Sequence, residues 1–233
     1  VSEAELSAEH FSALNAVPGL VHGFTLRVRG LEVSHDKAEA LARLDSIHRK
    51  IRRDHGLGAM RFMTAQQVHG KEIGVIDAAT TPENCFENCD GLVTNQRDIC
   101  LGIYVADCCA VYLVDPVSRA IGLVHSGKKG TELGIVGNAI QTMARRFGSR
   151  ASDLIAQLSP CIRPPRYEID FAAEIVRQCR EAGVGAIHDC GICTASDLTR
   201  YYSYRAERGR TGRMLAFLAL RENSKSEARN PKQ

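Results

Sequence analysis

Long hydrophobic runs are missing from this 233-residue sequence. No stretch approaches the ~18 apolar residues of a membrane span, so the reading has no place for a transmembrane helix. No secretory signal opens the sequence, and the expectation that follows is a cytoplasmic protein. A dominant charge is missing too, since 30 basic and 27 acidic residues leave only +3. Nucleic-acid partners usually select a clustered basic face and a higher pI, so that class is disfavoured. The sequence shows no internal repeat and no interdomain linker. Histidine is limited to eight, none in a His-x-His pair, which argues against reduction of O₂ at a multicopper cluster.

Cysteine, by contrast, is plentiful. Nine are present, and an odd number without a secretory signal points to free thiols or metal ligands in a reducing compartment, not to a disulfide framework. The hydrophobic share of 44% and charged share of 24% suit an ordinary globular chain.

Periodicity predicts helices over 2–14 and 36–54, the second with Leu41, Leu44, Ile47 and Ile51 at helical spacing. A strand is expected over 20–28. From "RFMTAQQV" through "EIGVID", "GLVT", "ICLGIYVA", "CAVYLVD" and "AIGLVHS", short runs rich in β-branched residues alternate with turns. Helices follow over 138–148, ending at Gly148, and over 171–183, with "LIAQLSP" between them and a buried strand over 213–220. The composition of the tail over 221–233 predicts disorder. The pattern is that of a single α+β domain, residues 1–220, whose strands outnumber its helices.

The stretch "ADCCAVYLVDPVSRAIGLVHSGKKG" (106–130) reads as a β-hairpin turning at "DPVS". If Asp115 faces Ser118, Cys108 falls opposite His125, with Cα atoms ~4.5–5.5 Å apart. Sγ and an imidazole nitrogen would then reach one metal ion. Pro116 is awkward in the primed turns of two-residue hairpins, which leaves a longer loop and a shifted register open. Cys108 taken alone reads equally well as a buried thiol. His69 supplies a third donor, at the end of the strand "MTAQQV" beside Gly70. Three protein ligands with an open fourth position are the catalytic pattern for zinc, and two histidines with a cysteine also suit copper.

"QVHG", "DGLVT", "ADC", "HSGKKGT" and "SPCI…YEI", in this order and spacing, resemble the YfiH-like laccase-domain family, also called polyphenol oxidase or purine nucleoside phosphorylase. The resemblance runs from about His22 to Leu220. It implies an α+β fold with mixed β-sheets packed between helices. It also implies zinc bound by His69, Cys108 and His125, which would serve both as metal ligands and as the catalytic centre. The implied activities are phosphorolysis of purine nucleosides and deamination of adenosine, with copper-dependent oxidation of phenols as the alternative. A metal-binding regulatory protein without turnover is a further alternative. Arg27 matches an arginine in the family's opening strand, and Arg27 with Lys128 or Lys129 would neutralise phosphate. The sequence departs from the family where "GWRG" is replaced by Gly127-Lys128-Lys129-Gly130, which removes an aromatic wall and a planar guanidinium fork. The expected partners are a purine nucleoside and phosphate, with neither nucleic acid nor membrane.

Other residues have two readings each. Cys85 and Cys89, with Cys190 and Cys193, read as separate thiols or as a second zinc site, though the spacing does not suit a compact knuckle. "RYYSYRAERGR" mixes basic and aromatic residues as RNA-binding surfaces do, but such runs are more often solvated faces whose tyrosines pack inward. Asp107 reads as a general base or, by strand alternation from Cys108, as an outward residue, and the second is the expectation. Glu168 is open between a site role and a helix N-terminal charge.

Overall fold

The β-branched runs become strands, and the central ones are buried on both faces. The computed structural model describes residues 7–80 and 84–221. In chain order the elements are β1 (Ala8–Glu9), α1 (Ser12–Asn15), β2 (Leu20–Thr25), α2 (Lys37–Asp54), β3 (Arg61–Ala65), β4 (Ile73–Ile76), β5 (Cys85–Phe86) and β6 (Gly91–Thr94). There follow β7 (Ile99–Val105), β8 (Cys109–Asp115), β9 (Ala120–Ser126), α3 (Lys128–Glu132), α4 (Ile135–Phe147), β10 (Ile155–Leu158), α5 (Phe171–Glu181), β11 (Ala186–Asp189) and β12 (Met214–Leu220). The tail expected to be disordered lies, but for Arg221, outside the described residues.

The strands form two six-stranded mixed sheets, ordered β1-β2-β12-β7-β3-β5 and β11-β10-β8-β9-β6-β4. Side-chain alternation gives each sheet two apolar faces. Met214, Ala216 and Leu218 of β12 join Tyr112, Val114 and Leu123 of the second sheet in the largest core cluster. The intervening residues Leu215, Phe217 and Ala219 face the other way, against Ile51 of α2 and Leu57. On the far side of the second sheet, Cys109, Val111 and Leu113 pack against α4 and α5 through Ile140, Met143, Phe171 and Ile175. Two mixed sheets packed between helices is the α+β architecture expected. Tyr112 ties the sheets together, its buried hydroxyl donating to the Gly23 carbonyl of β2 at 2.8 Å. Gly23 itself is required by the packing, since a Cβ there would lie 2.3 Å from the Phe217 ring.

Helix ends follow local chemistry. Asp36 caps α2, accepting from the Glu39 amide at 3.0 Å, and Arg52 and Arg53 occupy its last turn. Gly148 closes α4 at φ 70°, the left-handed cap that glycine takes without strain. The first expected helix fails. Residues 8 and 9 pair instead with Thr25 and Phe24 at the sheet edge, and only Ser12–Asn15 is helical. Tertiary pairing overrides the local pattern there. Residues 2–6 of that expectation lie outside the described residues.

Candidate metal centre

The hairpin forms, but its register differs from the simplest expectation. Asp115 faces Ala120 and Ala110 faces His125, because Pro116 forces a four-residue loop in place of a tight primed turn. Asp115 still organises that loop, accepting from the Val117 and Ser118 amides at 2.8 and 3.0 Å. Cys108 therefore sits one residue before β8, not opposite His125 within the ladder. It keeps the face of Ala110, since the register shifts by two residues and an even shift preserves the alternation. Its neighbour across the gap is Gly127, where a Cβ would come within 2.5 Å of Sγ. The thiol occupies the room that a side chain would take.

His69 is likewise not the end of a strand. β3 stops at Ala65, and residues 66–70 form a loop in which Gln67 and His69 have φ of 64° and 61°. Gln67 fastens this loop to β7: its side-chain NH₂ donates to the Tyr104 carbonyl at 2.6 Å and its Oε1 accepts from the Tyr104 amide at 2.9 Å. Asp90, fully buried just before β6, holds the rest. Its carboxylate accepts from the amides of Val68 (3.1 Å), His69 (2.8 Å) and Gly70 (2.7 Å) and from His125 Nδ1 (2.9 Å). An ionised carboxylate has no proton to give, so His125 donates through Nδ1 and turns Nε2 to the cleft, where a bound metal would take the place of its proton.

One donor atom from each of His69, Cys108 and His125 lies within 4.8 Å of the other two, the single such group of three or more His, Cys, Asp or Glu among the described residues. The set grades from buried His125 through half-buried Cys108 to exposed His69, so one side faces solvent. Burial pushes the Cys108 thiol up, but the His125 charge and hydrogen bonds to both histidines win and bring it down to about 6. Burial also pulls His125 down, and the Cys108 thiolate and Asp90 outweigh it, raising the imidazole to about 9. Burial opposes ionisation of Asp90 as well, yet the His125 and Gly70 hydrogen bonds hold its carboxyl below the usual range. A thiolate and two imidazoles, with a buried carboxylate behind one of them, are donors that fit a tetrahedral zinc ion with one position open.

The three donors line a cavity of about 760 Å³, within the range of small-molecule sites. Its walls carry the aromatic rings of Tyr104, Tyr167, Phe171 and Tyr204 and the cations Lys37, Lys128, Arg205, Arg208 and Arg213. Lys128 lines it, while Lys129, next along α3, is not among the lining residues. Arg27 is not among them either. Its guanidinium pairs with Glu207 at 2.6 Å, donates to the Tyr201 carbonyl and lies over Tyr202. Asp107 is not an outward strand residue. It is a buried loop residue at φ 81° that accepts from Thr194 Oγ1 and the Arg205 amide, both at 2.7 Å. Glu168 pairs with Arg205. All nine cysteines are free, and Cys85, Cys89, Cys190 and Cys193 join no metal-binding group among the described residues.

Sequence reasoning passed over Asp90, although "DGLVT" was among the motifs that carried the resemblance. It also treated the "RYYSYRAERGR" run as a surface. Tyr201 and Tyr202 do pack inward, but Tyr204, Arg205 and Arg208 form a wall of the cavity.

A family profile described as multi-copper polyphenol oxidoreductase laccase matches residues 25–178 and 166–221. The chain belongs to that family. Among its curated relatives, a purine nucleoside phosphorylase of Deinococcus radiodurans is 29% identical over 249 residues, covering 92% of this chain and 94% of its own. One from Corynebacterium glutamicum is 30% identical over 191 residues, covering 71% and 76%. The crystal structure of YlmD from Geobacillus stearothermophilus shares the fold of this laccase-domain chain with a TM-score of 0.77 at 24% identity, over 88% of this chain and 93% of that one.

Proposed function

We propose that this laccase-domain protein is a zinc-dependent purine nucleoside phosphorylase with adenosine deamination as a second activity. The observation that carries the reading is the convergence of His69, Cys108 and His125 in the wall of a cation-lined cavity. The naming of its relatives as purine nucleoside phosphorylases supports the substrate class. His69, Cys108 and His125 would hold the metal. Zinc, when bound, supplies Lewis acidity toward a substrate oxygen or water. In phosphorolysis, phosphate attacks C1′ of the nucleoside, the C1′–N9 bond breaks, and free base and ribose 1-phosphate leave. The protein's part is to hold the two reactants in line and to offset the phosphate charge. Lys128 and the arginines of the cavity wall serve the second need. The rings of Tyr167 and Tyr204 offer flat apolar surface to the base, a role that the missing tryptophan of the Gly127–Gly130 loop would otherwise fill.

Copper is the alternative occupant, since a Cys-His-His set also suits it. Metal analysis of protein purified without added metal separates the two. Zinc near one per chain is expected, and Cys108→Ala should abolish it while the protein stays folded. Adenosine and inosine should be consumed, with phosphate needed for base release and not for deamination. Full zinc occupancy in the Cys108→Ala variant, or no product from any common purine nucleoside with zinc bound, would sink the proposal.

A further inference from the structure

We infer that Arg213, with Lys37 beside it, is the anchor for a phosphate group inside the cavity, either inorganic phosphate or the phosphoryl group of a nucleotide. Arg213 is 92% buried, exposing only 8% of its surface, immediately before β12. Its Nη1 donates to the carbonyls of Thr211 and Gly212 at 2.7 and 2.9 Å. Those bonds fix the plane of the guanidinium without neutralising it. Among the described residues no carboxylate pairs with it, and Nε and Nη2 have no hydrogen-bond partner. Neither atom is fully sealed from solvent, and the residue lines the cavity.

A buried charge is normally paired, because desolvating it alone is costly. Besides the Cys108 thiolate, two carboxylates act on Arg213, and both are engaged elsewhere. Asp107 is the one carboxylate among the lining residues, and its oxygens serve Thr194 and the Arg205 amide. Glu207 accepts from Arg27, the Ser203 amide and Thr211. Lys37, at the first turn of α2, compounds the excess. Its ammonium donates to the Gln66 carbonyl at 3.2 Å, and burial, followed by the Arg213 charge, pulls it below its ordinary value. The negative group that acts most on Arg213 is the Cys108 thiolate, which a bound metal would engage. Two cations that share the cavity with no carboxylate paired to Arg213 are then the arrangement that a phosphate satisfies, and arginine's fork supplies two parallel donors for its oxygens. Tyr204, whose ring lies 5.7 Å from the Arg213 guanidinium carbon, sets an aromatic face next to the anion.

This inference rests on the proposed function only for the identity of the second reactant, so the test reads binding and needs no turnover. Inorganic phosphate, inosine and inosine 5′-monophosphate are titrated calorimetrically into wild type and the variants R213M, R213K and K37M, with metal content measured in each. R213M should weaken phosphate, the nucleotide, or both by roughly ten- to a hundredfold, with inosine binding and metal content unchanged. R213K should fall between wild type and R213M. Loss confined to inorganic phosphate assigns the subsite to the co-substrate, and loss confined to the nucleotide assigns it to a phosphorylated substrate. If R213M does not fold, K37M decides, with a several-fold weakening expected. Equal phosphate and nucleotide affinity across folded variants overturns the inference. Phosphate binding that depends on Arg213 in a protein that turns over no nucleoside would leave the subsite standing and remove the phosphorylase reading.

Discussion

Asp90 does more at the centre than its position behind the donors suggests. One carboxylate takes four hydrogen bonds, three from consecutive amides of the His69 loop and one from the His125 ring. It therefore sets the place of one donor and the tautomer of another. Asp90→Asn keeps the size but turns an NH₂ group toward at least one of these donors. The expected result is a rise in zinc Kd of roughly 10–100-fold, measured by competition with a chromophoric chelator, while the fold persists. An unchanged Kd would mean that the loop and the ring hold their places without the carboxylate. The donors themselves were legible in the sequence because thiol and imidazole are chemically distinct and sit in short motifs whose order and spacing carried the resemblance. Asp90 was not, since a buried acceptor for distant backbone amides leaves no local periodic or spacing signal. Arg213 was hidden in the same way, by a charge balance that exists only once the chain is folded.

Among the elements, strands were easier to read than their ends. Runs such as "CAVYLVD" and "MLAFLAL" are buried along their whole length, and continuous apolar sequence of that length has few other uses. The register of the hairpin depended on one proline, and the bend that places His69 depended on Asp90. The helix α2 links local chemistry to the cavity most directly. Its cap is Asp36, and its first residue is Lys37, which lines the cavity. Asp36→Ala should lower stability by about 1 kcal/mol, seen as a lower urea midpoint at constant m-value. Fraying of that first turn should also weaken phosphate binding to a smaller extent than loss of the lysine itself. If the midpoint does not move, the cap bond contributes nothing in solution.

On the scale of the whole molecule, two buried histidines contribute to the loss of stability in acid. Burial first, and then the charges of His10 and His55, bring His22 down to about 4. Burial and the nearby Arg52 do the same for His48, also to about 4. His22 must stay neutral to accept the Phe11 amide at 2.8 Å. In the unfolded chain both titrate near 6.5, so between about 6.5 and 4 the unfolded state binds more protons. Their contribution is complete above 6.5 and is lost as pH falls toward 4, by roughly 3 kcal/mol each at the limit. Urea midpoints at pH 7, 5.5 and 4.5 should decline steadily, and a flat profile across that interval would contradict the assignment.

The three donors do not come from one sheet. His69 lies in the loop that crosses from β3 of the first sheet to β4 of the second, whereas Cys108 precedes β8 and His125 lies within β9, both of the second. An ion shared by them is therefore a rivet between two halves of the molecule, placed at one end of the seam that Tyr112 and the apolar side chains close. Removing the ion would free the crossover loop from the ends of the hairpin while the apolar seam and the Tyr112 bond still hold the sheets together, so the entrance for a new ion would loosen without the fold giving way.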